Sequence, residues 1–295
     1  MKRELQMKNI DLEEVRHRRD CICMAYMFLT KGRGRILAAG LVASLFIMGC
    51  GSDGTGPGGN GIVNGDSGIM GESKIQTWAA LDDTGAVIRV GVTAGASGID
   101  NLTGEDHLVL AFPDAVQSQT FFNHMGFDFS DHGHGPAPYL LPHFDLHFYG
   151  DDVASVGEVD CIDEPLPEGL EAGVPAMGLE TVPDWYLIPS TALEPEGSCV
   201  PAMGVHALDV RSPELQEDPA VFTRTLVLGY HNAEITFIEP MVTQAHLAER
   251  SEWAWDVPRP TVLGRSVLWP ATFKGSFDAD TDTYTLEYSD FSAIE

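Results

Sequence analysis

Basic residues are scarce in this chain: 17 Lys and Arg stand against 44 Asp and Glu, a formal net charge of −27. Nine of the 17 fall within residues 1–49, so residues 50–295 carry eight against 39 acidic residues, a net charge of −31. A field of that sign repels nucleic acid and anionic lipid and draws cations, which argues against DNA or RNA as a partner. It also suits a protein kept soluble in high salt. Long apolar runs are missing too. The longest, Ile36–Gly49, has 14 residues, short of the ~20 that a membrane-spanning helix needs. The familiar catalytic templates are missing as well. There is no Gly-x-Ser-x-Gly elbow, no Walker A loop and no His-Glu-x-x-His, so nothing nominates a nucleophilic serine or a nucleotide phosphate site.

What the short apolar run does fit is a secretion signal. Lys31, Arg33 and Arg35 precede it and Cys50 follows it, the order of a basic n-region, an apolar h-region and a processing site. The ending Phe46-Ile47-Met48-Gly49-Cys50 resembles a bacterial lipobox, whose cysteine is lipidated and becomes the mature N-terminus. Residues 1–49 then form a leader, with Met27 as the start that gives it ordinary proportions. Residues 50–72, rich in Gly, Asp, Ser and Asn, read as a lipidated tether with little to bury. Lipid on Cys50 would be the chain's only link to the membrane and would place the protein in the cell envelope, on the periplasmic or outer surface.

Of five cysteines, Cys21 and Cys23 leave with the leader and Cys50 carries lipid. Cys161 and Cys199 remain as a pair in an oxidising compartment, and a disulfide between them would contribute about 4 kcal/mol on the chain-entropy model. Two free or metal-binding thiols are the alternative, unsupported by any Cys-x-x-Cys spacing.

Residues 73–295 read as a single β-rich domain with a long acidic insertion at about 151–204. Hydrophobic alternation has period two nearly everywhere. It marks Lys74–Leu81 and Ala86–Thr93 as a hairpin, His107–Phe112 and Val205–Val210 as single strands, and Thr223–Tyr230 with Ala233–Glu239 as a second hairpin. Ser266–Phe277 and Thr283–Tyr288 form a third hairpin, turning at the acidic Asp278–Asp282. Helical spacing is expected only over Pro113–His124 and Pro240–Arg250. The fold class that follows is mainly β, a barrel or sandwich with one or two short helices, with α+β as the alternative.

The chemistry concentrates in Pro142-His143-Phe144-Asp145-Leu146-His147-Phe148-Tyr149. On a strand, His143, Asp145 and His147 share one face and Phe144, Leu146 and Phe148 the other. Imidazole and carboxylate are the usual ligands of zinc, manganese, iron or copper. His206 and Glu239, on neighbouring strands, are candidates to complete a site for a divalent ion. Glu239 shares an apolar face with Ile235 and Phe237, and an unpaired carboxylate there would cost several kcal/mol. If the ion is catalytic, Glu239 or Asp145 would be the general base. His132 and His134 flank Gly133 in a Gly/Pro-rich loop and are candidates for the rim of the site. His107, His124 and His246 are read as structural, and His231 as a turn residue.

The His-Asp-His strand, with Met203-Gly204-Val205-His206, Leu228-Gly229-Tyr230-His231 and Phe237-Ile238-Glu239-Pro240-Met241, resembles a family of uncharacterised secreted bacterial proteins, the TTHB-type envelope domain of unknown function. The resemblance implies one secreted β-rich domain and a shared constellation of His143, Asp145, His147, His206 and Glu239, with no reaction attached. A looser likeness to cupins lies in histidines of one strand joining a Glu and a His from others. Two readings follow: an extracytoplasmic lipoprotein whose β domain binds a divalent metal, or a non-enzymatic, oligomeric envelope or stress scaffold whose His-Asp-His row is structural. Neither names a small-molecule ligand.

Overall fold

The computed structural model describes residues 61–161, 185–187, 199–216, 221–231, 234–261 and 263–295. The expected leader, Cys50, the start of the tether and most of the acidic insertion lie outside these residues. Alternation of apolar and polar side chains builds sixteen strands among them. In chain order they are β1 (Ile62–Met70), β2 (Ser73–Leu81), β3 (Val87–Gly95), β4 (Glu105–Ala111), β5 (His124–Ser130), β6 (His143–Tyr149), β7 (Tyr186–Leu187) and β8 (Cys199–Val200). There follow β9 (Gly204–Asp209), β10 (Arg224–His231), β11 (Glu234–Thr243), β12 (Trp253–Asp256), β13 (Val267–Trp269), β14 (Thr272–Asp278), β15 (Thr283–Ser289) and β16 (Ser292–Ile294).

One sheet runs β1-β2-β3-β15-β14-β12; the other runs β4-β5-β6-β11-β10-β9-β7, with β8 also on β9; β13 and β16 form a small ribbon. All strand pairs within the sheets are antiparallel. The protein is thus mainly β, as the alternation implies. Hairpins stand at the three expected places, as β2–β3, β10–β11 and β14–β15, but the expected strand Ser266–Phe277 is interrupted around Pro270, and its first part is β13, which pairs with β16 instead. Asp278–Asp282 is the tight acidic turn of the last.

The inner face of β6 explains why the sheets stack. Phe144, Leu146 and Phe148 are fully buried beside Phe127 and Phe129 of β5 and Leu228 and Ile238 of β10 and β11. Phe144 lies 4.8 Å from Phe129, and Phe148 lies 4.8 Å from Tyr288 on the facing sheet, ring centre to ring centre. Each buried aromatic or aliphatic side chain of this kind contributes ~1.5–3 kcal/mol of transfer free energy. The outer face of the same sheet carries a second, smaller cluster that includes Tyr139, Tyr149, Val227, Phe237 and Met241. The His-Asp-His row therefore lies between two apolar layers rather than facing solvent, and all seven residues of β6 are buried.

Four further expectations are corrected. Ile62–Met70, read as tether, is the edge strand β1, with only Met70 buried. Backbone pairing to β2 and side-chain bonds from Gln76 and Thr77 to Gly65 and Asp66 carbonyls hold it, and such bonds leave no apolar pattern. The helix after Pro113 is only α2 (Asp114–Gln119); Phe121 and Phe122 are both needed in the core, which breaks the helical face, and His124 opens β5. Pro240 lies in β11, and the helix that follows is α5 (Gln244–Ala248), its first turn capped by the Thr243 hydroxyl. Finally, five short helices occur among the described residues where one or two were expected. α1 (Ala96–Ile99), α3 (Val153–Gly157) and α4 (Pro213–Gln216) have four or five residues each, too few for a periodicity to show. A 3-10 turn spans Ala137–Tyr139.

Candidate metal centre

Register carries the candidate ligands to one place. On either side of a gap, β11 pairs with β6 at Ile238↔Phe148 and Met241↔Asp145, which sets Glu239 opposite His147. The gap falls at Pro240, which has no N–H to give the ladder. One strand further, β9 and β10 pair at His206↔Gly229, and β10 and β11 at Gly229↔Phe237. Gly229 is required there. A Cβ on it would stand 2.0 Å from the Phe237 ring, and that ring packs edge-on against both His147 and His206.

The candidates form two sets rather than one. His147, His206 and Glu239 make an inner set, and His134, His143 and Asp145 an outer set, with the ligand atoms of each within 4.8 Å of one another. In the inner set, His147 Nε2 lies 3.4 Å from Glu239 Oε1 and His206 Nε2 lies 3.6 Å from Oε2. In the outer set, His134 Nε2 and His143 Nε2 lie 3.1 Å apart, and each is 3.0–3.1 Å from an Asp145 oxygen. Two ligands of one tetrahedral zinc are ~3.3 Å apart, from metal–ligand bonds of ~2.0–2.1 Å. The two sets bracket that value.

Tautomers decide what these separations mean. His143 Nδ1 donates to the Leu141 carbonyl (2.6 Å), His134 Nδ1 to Gly135 (2.8 Å) and His206 Nδ1 to Gly204 (3.1 Å). His147 Nδ1 donates to the Asp128 carboxylate at 3.1 Å. These partners accept only, so the heavy-atom geometry assigns each neutral ring its proton at Nδ1 and leaves four Nε2 lone pairs facing carboxylates. Asp145 Oδ1, His147 Nε2 and Glu239 Oε2 are buried without a hydrogen-bond partner. Buried acceptors that face one another need a cation, either protons or an ion. Among the described residues, only histidines pair with Asp145, Asp128 and Glu239.

The electrostatics agree. Burial opposes charge on His147, yet Glu239 and Asp128 raise it to about 9. Burial also opposes charge on His134, which Asp145 raises to about 9. His206 is pushed down to about 3 by burial and by repulsion from His147 and His134. Burial drives Glu239 upward, with Asp145 adding to it. Against burial, the neighbouring His134 and His143 imidazoles hold Asp145 well below the carboxylate range. In the ion-free centre, protons on His134 and His147 thus supply the positive charge.

The structure brings all five sequence candidates, His143, Asp145, His147, His206 and Glu239, to this centre, but divides them between the two sets. Of the rim pair, His134 joins the outer set. His132 does not; its side chain is 77% exposed and faces Asp131. Gly133, with φ +64°, folds the loop so tightly that a Cβ would meet the Tyr139 carbonyl at 2.0 Å, and this turn aims His134 inward. Asp128 was missed by the sequence reading, although it alternates with Phe127 and Phe129 in β5. Its second oxygen bonds His107 Nδ1, so His107, read as structural, touches the edge of the centre. His124 stacks on Tyr149 and His246 bonds Arg224 and Glu249; both remain structural. Cys161 and Cys199 form the expected disulfide. It secures β8, which pairs with the β9 strand that bears His206.

Comparison with family models, curated proteins and solved structures finds no match. What the centre does is argued from its geometry.

Proposed function

We propose that this chain is an envelope lipoprotein whose β domain binds a divalent transition-metal ion, of the zinc, manganese, iron or copper class, through imidazole and carboxylate ligands. One observation carries the reading. Four histidines direct Nδ1 at carbonyls or a carboxylate and turn Nε2 toward two buried carboxylates. This is the arrangement in which outer partners fix the tautomer of metal-ligating histidine. Magnesium and calcium, which prefer oxygen ligands, fit it poorly.

Asp145 and Glu239 act here as ligands, each standing in a set of three, rather than as free general bases. The acidic surface supports the same reading, since it concentrates cations near the domain. The lipid anchor on Cys50 and the envelope location rest on the leader pattern alone. The test is elemental analysis of the mature chain purified without chelators, beside the double variant His143→Ala/His147→Ala. Near-stoichiometric transition metal that disappears in the double variant is expected. Metal-free protein in both, even after incubation with zinc, overturns the reading and favours the structural scaffold.

A further inference from the structure

Given that reading, we infer that the centre takes two ions, held unequally: a tightly bound one on His147, His206 and Glu239, and an exchangeable one on His134, His143 and Asp145.

Two complete sets argue for two ions. Each is a two-histidine, one-carboxylate group with its own converging atoms. Three ligands are enough to hold a zinc-class ion with a position left for water. Asp145 and His147 are i and i+2 on β6, so the two sets lie ~6–7 Å apart at the backbone. That spacing lets each ion feel the other, and it is the ligand atoms that separate the ions: they gather into two groups rather than one, whereas ligands of a single ion with ~2.1 Å bonds stand at most ~4.2 Å apart.

The inequality follows from what carries the ligands. All three inner ligands stand on strands, β6, β9 and β11, and their side chains are 4%, 17% and 2% exposed. Asp128 also supports His147 from behind. In the outer set, His143 and Asp145 are strand residues with side chains 0% and 8% exposed, but His134 is 48% exposed and sits on the loop before the 3-10 turn. Ordering a loop ligand opposes binding, by ~1–2 kcal/mol for each backbone residue fixed. An ion already in the inner set repels a second arriving nearby. Both effects weaken the outer set. His134 is the group through which the outer ion meets solvent, so the outer ion exchanges with the medium and holds the coordination position open to an external ligand.

The experiment is a zinc titration of the chelator-stripped mature chain, followed by calorimetry in excess magnesium. Magnesium occupies acidic surface oxygens and leaves imidazole sites free. Two equivalents at least ten-fold apart in affinity are expected. His134→Ala should abolish the weaker equivalent and leave the tighter one in place, and His206→Gln should abolish the tighter. His134→Ala is decisive, because it truncates a half-exposed loop residue, and thermal melting of the metal-free variant verifies its fold. A single equivalent in the parent chain, weakened by either substitution, would mean one shared ion and overturn the inference while sparing metal binding. Two equivalents that survive His134→Ala would overturn it as well. No zinc uptake at all overturns metal binding and this inference together.

Discussion

Asp128 makes the sharpest test of the centre, because it touches no ion and yet should set the affinity of the inner one. Its carboxylate accepts the His147 Nδ1 proton at 3.1 Å, and its other oxygen bonds His107. Two histidine partners keep the acid ionised against its burial, below the usual carboxylate range. A carboxylate behind a ligating imidazole fixes the ring and raises its basicity, and losing such a partner costs ~10–100-fold in affinity, or ~1.4–2.7 kcal/mol. Asp128→Asn keeps an acceptor oxygen and should fall near the lower end of that range. Asp128→Ala, which leaves the Nδ1 proton unpaired among buried groups, should fall near the upper end. Competition against a chromogenic zinc chelator reads both values, with circular dichroism and thermal melting of the metal-free variants as controls. The loss should fall chiefly on the tighter equivalent, since the Asp128 side chain bonds His147 and His107 and neither His134 nor His143, although Asp128 stands opposite Asp145 in the β5–β6 ladder. Unchanged affinity in a folded Asp128→Ala variant, or an equal loss at both equivalents, would refute the reasoning.

With metal removed, His134 and His147 titrate near 9 against an ordinary value of 6.5. A raised histidine stabilises the fold fully below 6.5, and that contribution disappears as pH climbs through 9. The depressed Asp128 and Asp145 are ionised throughout this window and add no slope. Denaturant unfolding in chelator should therefore show stability falling from pH 6.5 to 9, whereas zinc affinity rises as fewer protons need displacing; apo stability that climbs over this range would contradict the assignment. Gly229→Ala puts a methyl 2.0 Å from the Phe237 ring, so chemical denaturation should show a loss of ~1–3 kcal/mol, and the inner equivalent should weaken because Phe237 packs on both its histidines. Replacing Cys161 and Cys199 by Ala should cost about 4 kcal/mol on the chain-entropy model and loosen β9. Calorimetric melting and zinc titration of that variant check the two effects, and an unchanged melting temperature would deny the disulfide its role.

Residue order alone determined a good deal of this protein. Alternation in Phe144-Asp145-Leu146-His147-Phe148 fixes which side chains share a face, because the strand period is two whatever surrounds it. The same rule located the hairpins around Asp82–Ala86 and Asp278–Asp282, and the pairing of Cys161 with Cys199 followed from elimination. The chain's edges were less legible. Ile62–Met70 is held by backbone hydrogen bonds, which polar composition does not reveal, and Phe121-Phe122 left a helical pattern because the core needed both rings.

The centre divides along the same line. His143, Asp145, His147, His206 and Glu239 could be nominated from their types and faces, but how they are grouped could not. Grouping depends on register across β9, β10, β11 and β6, on the ladder gap at Pro240, and on the tight turn at Gly133 that brings His134 inward. It also depends on Asp128, whose role exists only because β5 pairs with β6. A strand fixes the direction of its own side chains, whereas the distance between side chains on different strands is a property of the assembled sheet. Sequence therefore supplied the ligands, and tertiary structure decided that they stand as two sets.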